Sequence, residues 1–399
     1  MKKPLSRLVV LGGNQMAAPA ILRMRERGHQ VIVIDGSPTA PARLVADQFI
    51  HQNFAEVAAT SEALRELEFE GIIPLNDFAI HAAAQIARER GLAGWTKFAE
   101  RCLTSKIAMK KAWTNAGLPT ARWASTTLTA LRSGQLPEWH SWPAIVKPSF
   151  SGGGSRGVFM AQSWPEIIAE LDAVGNRYLD GDIVIEEYID GTEHTLEVLV
   201  TKGTPTLLSI SDKQNYHGNI TVVQNLYFPG PLGHRHREQL QTLVEGACAA
   251  LQLSDGTAHI EVLIRDGIAY LLEVGGRPGG GLNFHPICEL STGYDYPSLL
   301  ASVASSQQPD FSRKTAWHLA WHYFPAGVGR LSAIEGFDAL REQPDVVSAE
   351  LYETLGQPRL DLRDDLARPG YVLVRGSSHA QAKARAAALV EGIRFVVSD

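Results

Sequence analysis

Short apolar runs recur through the first ninety residues, each closing on glycine or on a polar pair. Residues 7–11 (RLVVL) run into Gly12-Gly13, a stretch with helical character follows as far as Arg27 and Gly28, and a second run, 31–34 (VIVI), ends at Asp35. Strand, helix and strand in that order predict a β-α-β unit of a parallel sheet. A third run, 71–75 (GIIPL), ends in Asn76-Asp77 and precedes a helix expected over about 78–90. Asn76 and Asp77 thus fall at the carboxyl end of a strand, where ligands gather in open α/β sheets, and are expected to touch substrate. The glycines and Asp35 suggest a dinucleotide fingerprint, but its second and third glycine positions hold Asn14 and Ala17. The turn is read instead as scaffold that contacts a substrate.

The pattern then changes. A helical bridge containing Lys106 stops at Gly117-Leu118-Pro119. Strand 144–147 (AIVK), a Gly-rich loop 151–157 (SGGGSRG), a strand-like 158–160, a helix 164–174 and strand 183–188 (IVIEEY) predict a small α+β lobe. Strands at 194–201, 206–211, 258–264 and 268–274 follow, with a helix at 236–252 and a hairpin signal at Asp266-Gly267. Short strands and an Ala-rich helix, 379–392, end the chain. The expected division is 1–95 (parallel α/β), 96–118 (helical linker), 119–190 (small lobe), 191–310 (larger, mainly antiparallel lobe) and 311–399 (α+β extension).

Composition narrows the function classes. At 399 residues, 45% hydrophobic and 20% charged, the chain is an ordinary multi-domain globular protein. It lacks the roughly 18 consecutive apolar residues of a membrane span. Two lysines, Pro4 and Ser6-Arg7 precede an apolar run that glycines cut short, unlike a signal peptide, so a cytoplasmic location is expected. A formal net charge of −6 gives no reason to expect nucleic acid, and the basic stretch 23–27 reads as a solvated helix face. Cys102, Cys248 and Cys288 are too scattered for a disulfide framework or a CxxC metal site.

Three features in order outline a nucleotide-metal site: a lysine followed by a Gly-rich loop, an acidic hinge at Glu186-Glu187, and two glutamates on adjacent strands with an arginine just beyond. Lys147 ends a strand just before the loop that contains Ser151, Gly152, Gly153 and Gly154, whose bare backbone can approach phosphate oxygens. It is no Walker A loop, because no Gly-Lys-Ser/Thr follows. Glu261 and Glu273 flank the Asp266-Gly267 turn, which makes them cross-strand neighbours on one face. Like charges that close need a cation, and Mg²⁺ takes a few carboxylate oxygens together with phosphate oxygens. Arg277 follows, with Gly279, Gly280 and Gly281, a combination suited to an anionic, phosphorylated intermediate.

In these residues the sequence resembles the ATP-grasp superfamily of carboxylate-amine ligases. The resemblance implies an ATP-grasp fold with an N-terminal parallel-sheet domain, and ATP with Mg²⁺ or Mn²⁺. It implies Lys106 and Lys147 as phosphate lysines and Glu186-Glu187-Tyr188-Ile189 as the hinge that reads adenine. It further implies Glu193 as the ribose carboxylate, Glu261 and Glu273 as metal ligands, and Arg277 as the arginine of the acyl phosphate. One position departs: Gly275 stands where many members have an asparagine ligand. That glycine, with Arg-Pro-Gly-Gly-Gly after it, resembles the branch that joins amino acids, and a homodimer is common among proteins of this kind.

The expected reaction is attack of a carboxylate on ATP to give an acyl phosphate, then attack of an amine, releasing ADP and phosphate. The Gly-rich loop is expected to close over the intermediate. Asp212, His217 and Glu197 are candidates for the base that frees the amine. The alternatives are a purine-pathway ligase acting on a ribotide and a non-catalytic nucleotide sensor. The first should place cations near residues 12–16, where only Asn14 and Gln15 are polar; the second has no need of Arg277.

Overall fold

The structure is a computed structural model and describes residues 4–150, 152–174 and 181–398. Strands β1 (Arg7–Leu11), β2 (Gln30–Asp35), β3 (Gln48–His51) and β4 (Gly71–Pro74) make an all-parallel sheet in the order β3-β2-β1-β4. Its apolar runs are near-continuous because both faces are covered. Leu8, Val10, Val31 and Val33 face the helices Ala18–Glu26 and Tyr296–Ala304, while Val9, Leu11, Ile32 and Ile34 face the helix Ile80–Arg90.

A second, antiparallel sheet holds β5 (Trp123–Thr127), β6 (Ala144–Pro148), β7 (Phe159–Ala161) and β8 (Asp182–Glu187) in the order β5-β8-β6-β7. The helices Leu128–Arg132 and Trp164–Val174 cover one face through Leu131, Ile167 and Leu171.

The remaining strands are β9 (Thr192–Thr201), β10 (Thr204–Tyr216), β11 (Asn219–Phe228), β12 (Gly256–Arg265), β13 (Ile268–Gly275), β14 (His318–Tyr323), β15 (Arg330–Glu335), β16 (Val346–Leu351), β17 (Gly370–Gly376) and β18 (Arg394–Ser398). Eight of them form one sheet, β13-β12-β9-β10-β11-β14-β17-β16, which runs across residue 310, while β15 and β18 pair separately. This is the ATP-grasp fold.

The strands of the large sheet alternate between two environments. Leu196, Val198 and Val200 of β9, with Ala258, Ile260 and Val262 of β12, pack on the helices Lys97–Leu103, Lys106–Asn115 and Arg237–Ala250. The intervening residues Glu193, Thr195, Glu197, His259 and Glu261 point to the opposite face.

The sequence between the expected strand 206–211 and the expected helix 236–252, left without an element, holds the end of β10 and all of β11. Polar Asn215, Gln224 and Asn225 blur the alternation there, yet Tyr216, Val222, Leu226 and Phe228 are buried. Among the described residues no helix is long and apolar enough to cross a membrane.

Candidate active site

A cavity of about 670 Å³ is bounded by the polar face of the large sheet, the small sheet and the ends of the parallel strands. Its floor is the β9-β12-β13 register. Glu261 pairs directly with Glu273, and a bulge between Glu261 and Val262 leaves Leu272 also lining the cavity. Glu261 Oε1 lies 3.3 Å from Lys213 Nζ, and Glu273 Oε1 lies 3.0 Å from Lys106 Nζ. Burial works against the charge of Glu261, but Lys213 and then His259 hold its carboxyl well below the usual carboxylate range. Lys213 also pairs with Glu193, which in addition accepts from Asn215 Nδ2 at 3.3 Å.

The Oε2 atoms of Glu261 and Glu273 accept no hydrogen bond among the described residues. Two open carboxylate oxygens side by side fit a hard divalent cation that completes its shell elsewhere. Consistently, among the described residues no three His, Cys, Asp or Glu side chains converge to hold a metal by themselves.

The small sheet supplies a closed triad. Lys147 of β6 and Lys110 of the helix Lys106–Asn115 approach the same oxygen, Glu186 Oε1, at 2.7 and 3.1 Å, and Lys110 Nζ also donates to Thr120 Oγ1 at 2.9 Å. Burial pulls Lys110 down to about 8 despite Glu186. Burial works against Lys147 as well, but Glu186 together with Glu273 and Glu261 raises it. Glu186 itself is nearly inaccessible and belongs to the lysines. At the hinge, Glu187 accepts from Arg122 through N–H and Nε, and the N–H groups of Glu187 and Tyr188 donate to Arg122 and Pro143. The Ile189 N–H has no acceptor among the described residues.

The third wall joins distant segments. Arg277 grips Asp77 twice, Nε to Oδ1 at 3.1 Å and Nη2 to Oδ2 at 2.8 Å. Burial opposes the charge on Asp77, but Arg277 overrides it and lowers its pKa. The Gly-rich loop lies across this pair. A Cβ at Gly152 would fall 2.2 Å from Phe78 Cζ, and one at Gly153 would fall 2.7 Å from Asp77 Oδ2. Both glycines have φ near +70°, so neither space nor backbone admits a side chain.

Most sequence-predicted residues come together: Lys147, Gly152, Gly153, Gly154, the hinge 186–189, Glu193, Glu261, Glu273, Arg277, Gly279, Gly280, Gly281, Asn76 and Asp77 all line the cavity. Lys106 is buried behind it, against Glu273. Ser151 lies outside the described residues.

The three candidate bases do not face the cavity. Asp212 binds His194 and the N–H groups of Leu232 and Gly233. His217 is exposed at the β10–β11 turn. Glu197 accepts from His259 Nδ1 (2.6 Å), Gly279 N–H (3.0 Å) and Tyr296 OH (3.1 Å), bracing the glycine turn. Burial works against the imidazolium of His259, but Glu197 holds its pKa at about 9.

Sequence reasoning missed Lys213, which stands two residues beyond the expected end of β10 and would have been placed by carrying the alternation of Ser209 and Ser211 one step further. It also missed Lys110, and it missed Trp321, Tyr323, Asp365 and Arg368, which bring a C-terminal wall to the cavity.

This arrangement of lysines, paired glutamates and arginine around one cleft defines a nucleotide-dependent ligase site, and comparison with known proteins agrees. Residues 140–285 match the ATP-grasp domain family and residues 322–398 match the L-amino acid ligase C-terminal domain 2. The chain thus carries an ATP-grasp domain followed by an L-amino acid ligase C-terminal domain, and is an ATP-dependent ligase. It is 27% identical over 297 residues to a D-alanine–D-alanine ligase of Marinomonas sp. (strain MWYL1), covering 71% of this chain and 87% of that one. It is 26% identical over 266 residues to dapdiamide A synthase of Enterobacter agglomerans, 60% of each chain. The fold superposes on the crystal structure of L-amino acid ligase from Bacillus licheniformis with a TM-score of 0.84 at 22% identity, over 100% of both chains.

Proposed function

We propose that this protein joins two amino acids of the L series by an amide bond, activating the carboxylate of the first as an acyl phosphate at the expense of ATP. The observation that carries the reading is the Glu261–Glu273 register pair, whose open oxygens face the same cavity as Lys147, the Gly-rich loop and Arg277.

Adenine would lie at the hinge, where the Ile189 N–H is free to donate, and Glu193 would take the ribose. Lys147 neutralises phosphate oxygens, while Lys106 adds its charge from behind the cavity through Glu273; the triad with Glu186 keeps Lys147 charged and fixed. Glu261 and Glu273 would hold Mg²⁺ or Mn²⁺ through one open oxygen each, and the ion when bound lowers the negative charge that a carboxylate meets at the γ-phosphate.

The substrate carboxylate attacks the γ-phosphorus, and ADP leaves. Arg277, aimed by Asp77, and the N–H groups of Gly280 and Gly281 stabilise the acyl phosphate and the oxyanion that forms when the amine attacks. Residues 152–154 cover the intermediate from water. The L series is favoured because one wall of the cavity, Tyr323, Asp365 and Arg368, comes from the segment matched to L-amino acid ligases.

The test is phosphate release from ATP and Mg²⁺ with pooled L-amino acids, and separately with pooled D-amino acids, followed by mass spectrometry. Release only with the L pool, abolished in Glu273→Ala, together with a product one water lighter than its two substrates, is expected. Absence of release from both pools would sink the reading.

A further inference from the structure

The segment 362–368 brings Asp365, Leu366 and Arg368 to the wall of the cavity. Leu362 C=O accepts from Asn219 Nδ2 at 2.7 Å, Asp364 caps the following turn through Leu366 N–H at 2.9 Å, and Asp365 N–H donates to Gly154 C=O at 3.1 Å. The strap is therefore tied both to the large sheet and to the loop that covers the phosphates. It presents an acid and a base side by side: Asp365 Oδ2 is 3.4 Å from Arg368 Nη2, and both residues line the cavity.

The two groups are poorly satisfied by each other. Arg368 lies 3.7 Å above the Tyr323 ring and spends its Nε on Asp365 C=O at 2.9 Å. Its two amino nitrogens make no hydrogen bond among the described residues and are not sealed from solvent. Asp365 Oδ1 is sealed and has no donor. Lys147, Lys213 and Arg277 are by contrast each committed to a nearer carboxylate.

We propose that Asp365 and Arg368 form a receptor for the zwitterion of a free α-amino acid, the amine substrate of the ligation, with Arg368 taking its carboxylate and Asp365 its ammonium. The proposal rests on the ligase reading above. A guanidinium whose two amino groups make no hydrogen bond among the described residues, only the 3.4 Å ion-pair contact to Asp365, matches a carboxylate bidentately, and its planar fork is already oriented by the aromatic ring beneath it. Asp365 Oδ1 has no donor among the described residues, so the acid lacks a full complement of cations, and burial pushes its carboxyl up against the pull of Arg368 and Lys213, with Glu261 and Asp364 adding to the rise. An ammonium group supplies one. The bond from Asp365 to Gly154 sets that ammonium beside the loop that covers the acyl phosphate, where its nitrogen must arrive.

The experiment separates activation from amine binding. Hydroxylamine, uncharged at neutral pH and lacking a carboxylate, traps an acyl phosphate as the hydroxamate without needing the receptor. With ATP, Mg²⁺ and pooled L-amino acids the wild-type protein should form a hydroxamate; if it forms none, the ligase reading fails and this proposal falls with it. Given hydroxamate formation, the wild type should use a free amino acid at least tenfold better, by kcat/KM, than the same amino acid as its carboxamide. Arg368→Gln should raise KM for the amine amino acid about 10- to 100-fold, the loss typical of a charged hydrogen-bonded pair, erase the preference over the carboxamide, and leave the hydroxamate rate within about twofold. Equal use of acid and carboxamide by the wild type overturns the proposal, and that comparison needs no variant to fold. So does an unchanged KM in Arg368→Gln, or an equal fall of hydroxamate and amide formation.

Discussion

The two ends of the cavity are built on opposite principles. At the end proposed for the nucleotide, Lys110 and Lys147 share Glu186 out of solvent before any ligand arrives. On the floor, Glu261 and Glu273 stand as register partners, each with one oxygen uncommitted. The closed triad is a fixed positive support, and the open pair is a demand for a cation. Removing a member of each should therefore separate stability from activity.

The largest effect falls on the open pair. Glu261→Ala or Glu273→Ala should cut amino-acid-dependent phosphate release by on the order of 10³-fold, since losing a bound divalent cation forfeits several kcal/mol of charge stabilisation. The melting temperature should hardly move in Glu261→Ala, because that side chain is 31% exposed and its partner Lys213 keeps Glu193. A large fall in melting temperature would place Glu261 with the closed triad.

Glu186→Gln should show the reverse signature first, a loss of about 3–5 kcal/mol in denaturant melts, because two buried lysines would lose their shared counter-charge. Lys110 gives the pH test. Its pKa of about 8 lies below the value of an unfolded lysine, so its protonated form is penalised in the native state. That penalty is fully present below about pH 8 and fades as pH rises toward about 10.4, so this group makes the protein gain stability over that window. In Glu186→Gln the gain should begin at lower pH.

A smaller, local effect is expected at the substrate end. Gly281 has φ +64°, and a Cβ there would sit 2.5 Å from Trp321 Cη2. Gly281→Ala should cost about 1–3 kcal/mol of stability and narrow the range of amino acids accepted, with ATP affinity unchanged. Substrate-competition assays beside a nucleotide titration check both.

The same contrast governs what the sequence reveals. The nucleotide end is written in short segments whose local periodicity is intact: strand then Gly-rich loop at 144–157, paired strands about one hairpin at 256–275. Glu261 and Glu273 could be placed on one face from the Asp266-Gly267 turn alone. The substrate end is assembled from residues 14–17, 76–78, 152–154, 277–281, 321–323 and 365–368, and no local pattern announces that they meet. Asp365 and Arg368 sit in a polar stretch, DLRDDLAR, that reads as solvated surface. Lys110 was hidden for a different reason: a lysine inside an ordinary amphipathic helix gives no sign that Glu186 lies across from it. β3 escaped because its QFIH sequence forms a half-exposed edge with no clear alternation.

The finest test lies where the two ends touch, at Gly275. A Cβ there would come 3.2 Å from Asp77 Oδ1 and 3.3 Å from Arg277 Cζ, tight enough to press on the pair that aims Arg277 without an outright clash. Asparagine at this position would offer the floor a third oxygen, so two outcomes compete. If the space is held for the Asp77–Arg277 pair, Gly275→Asn should raise KM for the first amino acid by up to about tenfold, in keeping with the ~1–3 kcal/mol of mild overpacking. KM for ATP and the Mg²⁺ dependence should then stay within about twofold. If saturation instead shifts to lower Mg²⁺ with amino acid KM unchanged, the pair yields readily and the glycine is a missing ligand. The packing around Gly275 favours the first outcome, because both neighbours, with side chains only 13% exposed, are held in a bidentate ion pair with little room to retreat.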